Sequence, residues 1–390
     1  MKILHTSDLH IGKRINGFSM LEDQDFILRQ IVGIANREQP DAIILAGDIY
    51  DKAIPSAEAV ALFDEFLVNL SRLHIPIFII SGNHDSSERI AFASRIMKDS
   101  GVYVSGVYNG SIEPVILKDK YGEVAFYLLP FIKPLLVQHY AQTEEGLATY
   151  DAALRYVIEQ MGVSKDRRNV LIAHQFVSGA ERSESEDVVI GGLDNVEASN
   201  FEGFDYVALG HLHRPQYCGT KTIRYSGSPL KYSFSEVHDH KSLSLVEMGE
   251  KGDVQVSEIP LKPRYDWHEL RGTYDELTCR SYYENTHYQE DYVRIILTDE
   301  DDIPDGMRKL QTIYHRLMEL KYDNQRTRAG YAPVGGAVGA NKKTPIQLFE
   351  ELFVKQNGQA LNDEQKDYVE SMIRNVWNKV EKKLSEPCDH

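Results

Sequence analysis

Five short apolar runs in the N-terminal part of the chain each end on Asp, Asn or His, and this recurrence constrains the fold more than any other feature. Ile3-Leu4-His5-Thr6-Ser7 runs into Asp8-Leu9-His10, and Ala42-Ile43-Ile44-Leu45-Ala46 into Gly47-Asp48. Ile77-Phe78-Ile79-Ile80-Ser81 runs into Gly82-Asn83-His84-Asp85, Val170-Leu171-Ile172-Ala173 into His174, and Tyr206-Val207-Ala208-Leu209 into Gly210-His211-Leu212-His213. Short runs rich in β-branched residues are read as strands buried on both faces. In an open α/β sheet, ligands gather just beyond the carboxyl ends of such strands. The five runs therefore predict one rim that carries Asp, Asn and His side chains from several strands. Glycine precedes three of these sites, where a sharp turn without a Cβ is useful.

Asp, His and Asn without a thiolate form an oxygen and nitrogen donor set, suited to Mn, Fe or Zn rather than to soft metals. The set is larger than one ion needs. Two ions about 3.5–4 Å apart, sharing a bridging carboxylate, would use all of it. Each piece alone is weak, since a lone His at a strand end is more often structural. His238-Asp239-His240 has His-x-His spacing but sits in a polar turn, and it is read as a non-ligand.

The chain has 390 residues, enough for a large core and more than one domain. Its net charge of −16 argues against coating nucleic acid by bulk electrostatics, although bound cations and a local basic rim such as Gly12-Lys13-Arg14 can reverse the field at a site. That loop is read either as a phosphate contact or as a solvated turn. Cys218, Cys279 and Cys388 form no Cys-x-x-Cys unit, which fits a reducing cytoplasm. No apolar run is long enough to span a membrane.

Apolar spacing predicts helices over residues 25–38, from Pro55 onward, over 89–97 and over 150–161. The second carries Val60, Phe63, Leu67 and Leu70 with Leu62 and Phe66 beside them, a stripe wide enough for a subunit interface as well as a core. Strands are expected at 103–107, 115–117 and 124–130 in a second sheet, with 243–248 and 254–259 closing the domain. The charged stretch Glu181 to Asp187 leaves the strand bearing His174 and is read as a solvated loop or a substrate-facing one. Beyond Arg264, a strand at 292–297 and a helix opening at Pro304 with Met307, Leu310, Ile313, Tyr314 and Leu317 suggest a small cap. Residues 329–340 are glycine-rich and read as a linker. Thr344-Pro345 then opens a helix with Ile346, Phe349, Leu352 and Phe353 on one side. Asn362-Asp363-Glu364-Gln365 suggests a capping box ahead of a stripe through Tyr368, Val369, Met372, Trp377 and Leu384. Two short amphipathic helices cannot bury both apolar faces alone, so they are expected to dock on a partner.

Asp8-x-His10, Gly47-Asp48, Gly82-Asn83-His84-Asp85, His174 and Gly210-His211-x-His213 together resemble the calcineurin-like metallophosphoesterase superfamily. Thr6–Gly12, Gly47-Asp48-Ile49-Tyr50-Asp51 and Ser226-Gly227-Ser228-Pro229-Leu230-Lys231-Tyr232 resemble, within it, the SbcD family of bacterial nuclease subunits. The resemblance covers nearly the whole chain. It implies a four-layer α/β/β/α sandwich over residues 1–264, a small α+β capping domain over 265–325, a linker over 326–343 and a C-terminal helix pair over 344–385. It further implies two divalent ions, most often Mn2+ with Fe or Zn as alternatives. One would be held by Asp8, His10, Asp48 and His213, the other by Asp48, Asn83, His174 and His211. His84 would act on the transition state or the leaving oxygen, and Asp85 would orient its neighbourhood. Asp51 stands where archaeal and eukaryotic relatives have a histidine. The function implied is cleavage of DNA phosphodiesters, as a double-strand 3′-to-5′ exonuclease and a single-strand or hairpin endonuclease. An SbcC-like ATPase with a coiled coil would be the partner, contacted by 344–385, and a homodimer would sit inside a heterotetramer. A phosphatase of another substrate class and a non-catalytic scaffold are the rival readings. The filled ligand positions count against the scaffold, and the cap and helices against the phosphatase.

Overall fold

The structure is a computed structural model that describes residues 1–390 except 143–145, 187–194, 331–344, 358–359 and 374–390. It divides into two compact units, Met1–His268 and Glu269–His390.

In the first unit the strands run in chain order as β1 (Lys2–Thr6), β2 (Ala42–Ala46), β3 (Ile77–Ile80), β4 (Val102–Val104), β5 (Val115–Asp119), β6 (Gly122–Leu128), β7 (Arg168–His174), β8 (Tyr206–Gly210), β9 (Gln216–Cys218), β10 (Thr220–Tyr225), β11 (Ser242–Met248) and β12 (Val254–Pro260). Two six-stranded sheets result, ordered β12-β11-β1-β2-β3-β4 and β9-β10-β8-β7-β6-β5. β1 to β4 are mutually parallel, as are β6, β7, β8 and β10, while β11 and β12 close the first sheet antiparallel.

Alternation along the strands decides what lies between the sheets. Ile3, Ile44, Phe78 and Ile80 of the first sheet meet Phe126, Val170, Ile172 and Ala208 of the second in one buried core. The rings of Phe78 and Phe126 stack at 4.4 Å. The opposite faces carry Leu4, Ile43, Leu45, Ile77 and Ile79, which pack against the helices Leu21–Glu38 and Ala57–Ser71. On the far side Tyr127, Leu171 and Leu209 pack against the helix Tyr150–Gln160. This is the expected α/β/β/α order. The parallel strands β1, β2, β3, β7 and β8 end on the Asp, Asn and His motifs, so their carboxyl ends build the rim.

Some expectations fall differently. The strand expected at 103–107 joins the first sheet, paired with β3 through Ile77↔Val102, because a short crossover returns a parallel strand beside the one it left. Residues 89–97 form not one helix but Ser87–Ile90 and Ser94–Met97, broken at Ala93 with φ 58°. In the second unit the helix after Pro304 is only Gly306–Gln311, and Leu317 lies in the strand Arg316–Tyr322 beside Tyr292–Leu297. An apolar repeat that crosses a tight turn mimics a longer helix, and Leu310, Tyr314 and Leu317 still share one core. The start of the expected linker is the helix Gln325–Gly330, and the rest of the glycine-rich stretch lies outside the described residues.

The helix Pro345–Asn357 begins as expected. Asn362 and Gln365 form reciprocal bonds, Asn362 N to Gln365 Oε1 at 3.0 Å and Gln365 N to Asn362 Oδ1 at 2.8 Å, ahead of a helix over 363–373. Trp377 and Leu384 lie outside the described residues. Among the described residues no helix is long and apolar enough to cross a membrane.

Candidate metal centre

The turns after β1 and β2 run side by side, with Asp8 N donating to Gly47 O at 3.0 Å and His10 N to Asp48 O at 2.9 Å. This pairing carries Asp8, His10 and Asp48 into one pocket. The turn after β3 reaches the same place through Asp85, which acts as a clamp. Its carboxylate accepts from Gly82 N (2.9 Å), Ile49 N (3.0 Å) and Tyr50 N (2.9 Å), tying the third turn to the second. The turn is also held by Asp48, whose Oδ1 accepts from His84 N at 2.9 Å. A Cβ at Gly82 would lie 2.1 Å from Asp48 Oδ1, so only glycine lets that backbone approach.

The geometry is strained where the side chains converge. Asp8, His10, Asp48 and His211 all have positive φ, at 55°, 44°, 48° and 109°. Side chains other than glycine adopt this region sparingly, and four such residues sharing one pocket are the pattern found where a functional site over-determines the backbone.

The donor atoms sit where ligands of a cation would. His10 Nε2 lies 3.0 Å from His213 Nε2 and 3.6 Å from Asp48 Oδ2. Two nitrogens each about 2.1 Å from one ion at right angles are about 3 Å apart. Asn83 Oδ1 lies 3.0 Å from both His174 Nε2 and His211 Nδ1, and His174 Nε2 is 3.3 Å from Asp48 Oδ2. His174 donates through Nδ1 to Ala46 O at 2.9 Å, which turns its Nε2 toward Asp48. His10 Nδ1 and His211 Nε2 are buried without a hydrogen-bond partner among the described residues. Three overlapping groups have donor atoms within 4.8 Å of one another: Asp8, His10 and His213; Asp8, Asp48 and His174; and His10, Asp48 and His84. The structure thus brings together Asp8, His10, Asp48, Asn83, His174, His211 and His213, with Asp48 between two subsets. His84 reaches the same space, its Nε2 4.0 Å from Asp48 Oδ2, but its side chain is 20% exposed where that of Asp48 is 2% exposed. The donor set fits a dimetal site.

Protonation follows from burial and proximity. Burial disfavours the charge of Asp48, but His174, then His10 and His84, hold its carboxyl well below the usual range. Burial would also lower His174, yet the Asp48 carboxylate overrides it and raises the imidazole to about 9. Burial pushes Asp8 up to about 6 and takes His211 down to about 3. Asp85 is raised to about 6 by burial and then by the nearby Asp48 charge, against its three backbone donors.

His238 and His240 line a separate cavity of about 490 Å³ with Asp239, Lys231 and Trp267. Gln24 supports the rim from outside any sequence motif, and Tyr232 does so from the end of the Ser226-to-Tyr232 motif. Gln24 donates to His10 O at 2.7 Å, and Tyr232 OH donates to Leu9 O at 2.5 Å. Gln24 carries a usable signal, being a polar residue on the stripe formed by Met20, Ile27 and Ile31. Lys13 Nζ pairs with Asp51 Oδ1 at 2.7 Å, so the basic loop meets the rim at Asp51.

Fold and site together define the class, that of calcineurin-like phosphoesterases, whose family model matches residues 1–215. A second model, described as the Type 5 capsule protein repressor C-terminal domain, matches residues 265–357. The chain is 34% identical over 380 residues to the SbcD subunit of nuclease SbcCD from Staphylococcus epidermidis, covering 96% of this chain and 98% of the relative. The Staphylococcus saprophyticus protein of the same name is 35% identical over 324 residues, 82% of this chain and 84% of that one. The chain belongs to the SbcD family of nuclease subunits. A solved dimetal phosphatase from Danio rerio covers 66% of this chain at 11% identity and a TM-score of 0.40, a likeness too distant to bear on the chemistry.

Ligation needs a neutral imidazole, so an ion held by His174 would displace the proton on that ring. With that imidazole at about 9 and Asp8 at about 6, affinity should rise about tenfold per pH unit between these values and level off above them. Manganese calorimetry at pH 7.5 in buffers of different ionisation enthalpy is expected to show about one proton released per chain. Binding without proton release would contradict the assignment of His174.

Proposed function

We propose that the chain hydrolyses DNA phosphodiesters with two divalent cations, most often Mn2+, one held by Asp8, His10, Asp48 and His213 and the other by Asp48, Asn83, His174 and His211. Convergence of these side chains on the Asp48 carboxylate carries the reading. Once bound, such a pair lowers the pKa of a water molecule and stabilises both oxygens of an in-line phosphoryl displacement. Around it the chain supplies position. Asp85 holds the turns that present Asp48 and Asn83, and is a positioning residue. His84 donates from Nδ1 to Asp51 O at 3.1 Å, which leaves Nε2 facing the pocket. Its partial exposure suits a group that meets the substrate, stabilising the transferring phosphoryl or protonating the leaving oxygen.

Family membership and the polar, strained rim support double-strand 3′-to-5′ exonuclease and single-strand or hairpin endonuclease activity in DNA repair and recombination, in the cytoplasm. Manganese-supported turnover of a hairpin DNA is expected to exceed that of a simple phosphomonoester. His84→Gln should retain manganese and DNA but cleave about 10²–10⁴-fold more slowly, the usual scale for a proton-transfer group. A wild-type preference for the monoester would reject the nuclease reading, and loss of metal with His84→Gln would make His84 a ligand.

The helices after residue 344 support a docking role for an SbcC-like ATPase with a coiled coil. Leu348, Phe349, Leu352 and Val354 are exposed on the first, and Tyr368 and Met372 on the second. Exposed Val60 and Val68 on the helix Ala57–Ser71, with exposed Phe92 and Ile96, support a homodimer within a heterotetramer. Truncation after Ala340 is expected to leave manganese-dependent cleavage of short DNA intact. The same truncation should weaken co-purification with the ATPase and abolish ATP-stimulated cleavage. Normal partner binding by the truncated chain would assign these helices to its own fold.

A further inference from the structure

Behind His213, on the side away from the pocket, lies a buried chain of polar contacts that the two-ion reading does not use. Lys241 and Glu236 form an ion pair at 2.5 Å with side chains 3% and 0% exposed. Lys241 Nζ also donates to His213 O at 2.8 Å and to Ser228 Oγ at 3.0 Å, so all of its protons are engaged. The other carboxylate oxygen, Glu236 Oε1, accepts from Ser185 Oγ at 2.6 Å and Ser233 Oγ at 3.1 Å. Ser185 Oγ in turn lies 2.6 Å from His213 Nδ1. Beside it, Glu186 Oε1 accepts from His213 N at 2.7 Å, and its Oε2 from Ser183 N at 2.8 Å.

The direction of each bond follows from counting protons. Glu236 is buried against the Lys241 ammonium at 2.5 Å, a pairing that requires a carboxylate, so it only accepts. Ser185 has one proton, and Glu236 takes it. The serine oxygen must then accept from His213, which places the ring proton on Nδ1. The lone pair is left on Nε2, the nitrogen 3.0 Å from His10 Nε2 in the pocket. Once it has lost its second proton, His174 reaches the same state by a simpler route, donating Nδ1–H to the carbonyl of Ala46. A buried ion pair gives little net stability compared with an apolar pair of the same shape, so specificity of position is the better reason for this one.

We propose that Lys241, Glu236 and Ser185 form a positioning relay that fixes His213 as the Nδ1–H tautomer and aims its Nε2 at the ion shared with Asp8 and His10, while Glu186 anchors the His213 backbone. The proposal rests on the two-ion reading. Partners that orient a ligating imidazole typically contribute 10–100-fold in metal affinity. Ser185 and Glu186, in the charged stretch after β7, thereby acquire a role unrelated to direct substrate contact.

The test is manganese chloride titration of the full chain by calorimetry, with nitrogen-15 spectra of histidine-labelled, metal-free protein. Ser185→Ala is expected to weaken one of the two binding steps by about 10–100-fold and leave the other unchanged. Ser185→Thr, which keeps the hydroxyl, should restore it. Ser235→Ala serves as the control, because Ser235 helps dock the loop through Glu184 N at 3.0 Å but does not touch His213; it should bind like wild type. The spectra should show His213 protonated at Nδ1 in wild type and no longer fixed in that form in Ser185→Ala. Unchanged manganese binding by Ser185→Ala, an equal loss in Ser235→Ala, or a wild-type His213 protonated at Nε2 would each overturn the relay. A wild type that takes up fewer than two ions would instead overturn the two-ion reading, and the relay with it.

Discussion

The arrangement around Asp48 is the constraint to which the rest of the unit answers. Its carboxylate is buried, approached by His10, His84 and His174, and flanked by Asp8, so several lone pairs face one another out of water. Such a group is costly unless positive charge compensates it, and the effective penalty is several kcal/mol per buried ion. Without a metal, the His174 proton supplies that charge. With one, a cation would do so at the place where the donor atoms already converge. The unusual backbone, the desolvation and the clustering of donor atoms are thus consequences of the same geometry.

The scaffold supports this by making the site a property of strand ends rather than of free loops. β1, β2 and β3 deliver three turns from one sheet, and β7 and β8 deliver His174 and the His211–His213 turn from the other. The core between the sheets, centred on the Phe78–Phe126 stack, fixes their separation. Hydrogen bonds between the turns then set the fine geometry, with Asp85 joining two of them and Asp8 accepting from His211 N across the sheets at 3.0 Å. Because the side chains come from five strands and the turns are hydrogen-bonded to one another, no single turn can rearrange without moving a neighbour.

Much of this is legible in the sequence because continuous apolar runs and strand-end chemistry are both local signals. The runs at Ile3, Ala42, Ile77, Val170 and Tyr206 mark strands within two residues of those found, and the residues after them meet in one pocket. What is not legible lies in contacts made at long range. Glu236 and Lys241 flank the polar turn His238-Asp239-His240 and carry no local mark of burial, yet both are buried, and Ser183 and Ser185 reach Glu236 from some fifty residues away. Ser185 is an ordinary serine in a charged stretch until its hydroxyl is found against His213. The helix ending at Gln311 reads as longer than it is for a related reason, since Tyr314 and Leu317 keep a helical spacing while the backbone has already turned into a strand.

Diffraction from crystals of the full chain grown with manganese, using the anomalous signal of that metal, tests the central claim most directly. Two peaks about 3.5–4 Å apart, with the Asp48 carboxylate between them, are the result the account predicts. A single peak, or two peaks that Asp48 does not bridge, would contradict it.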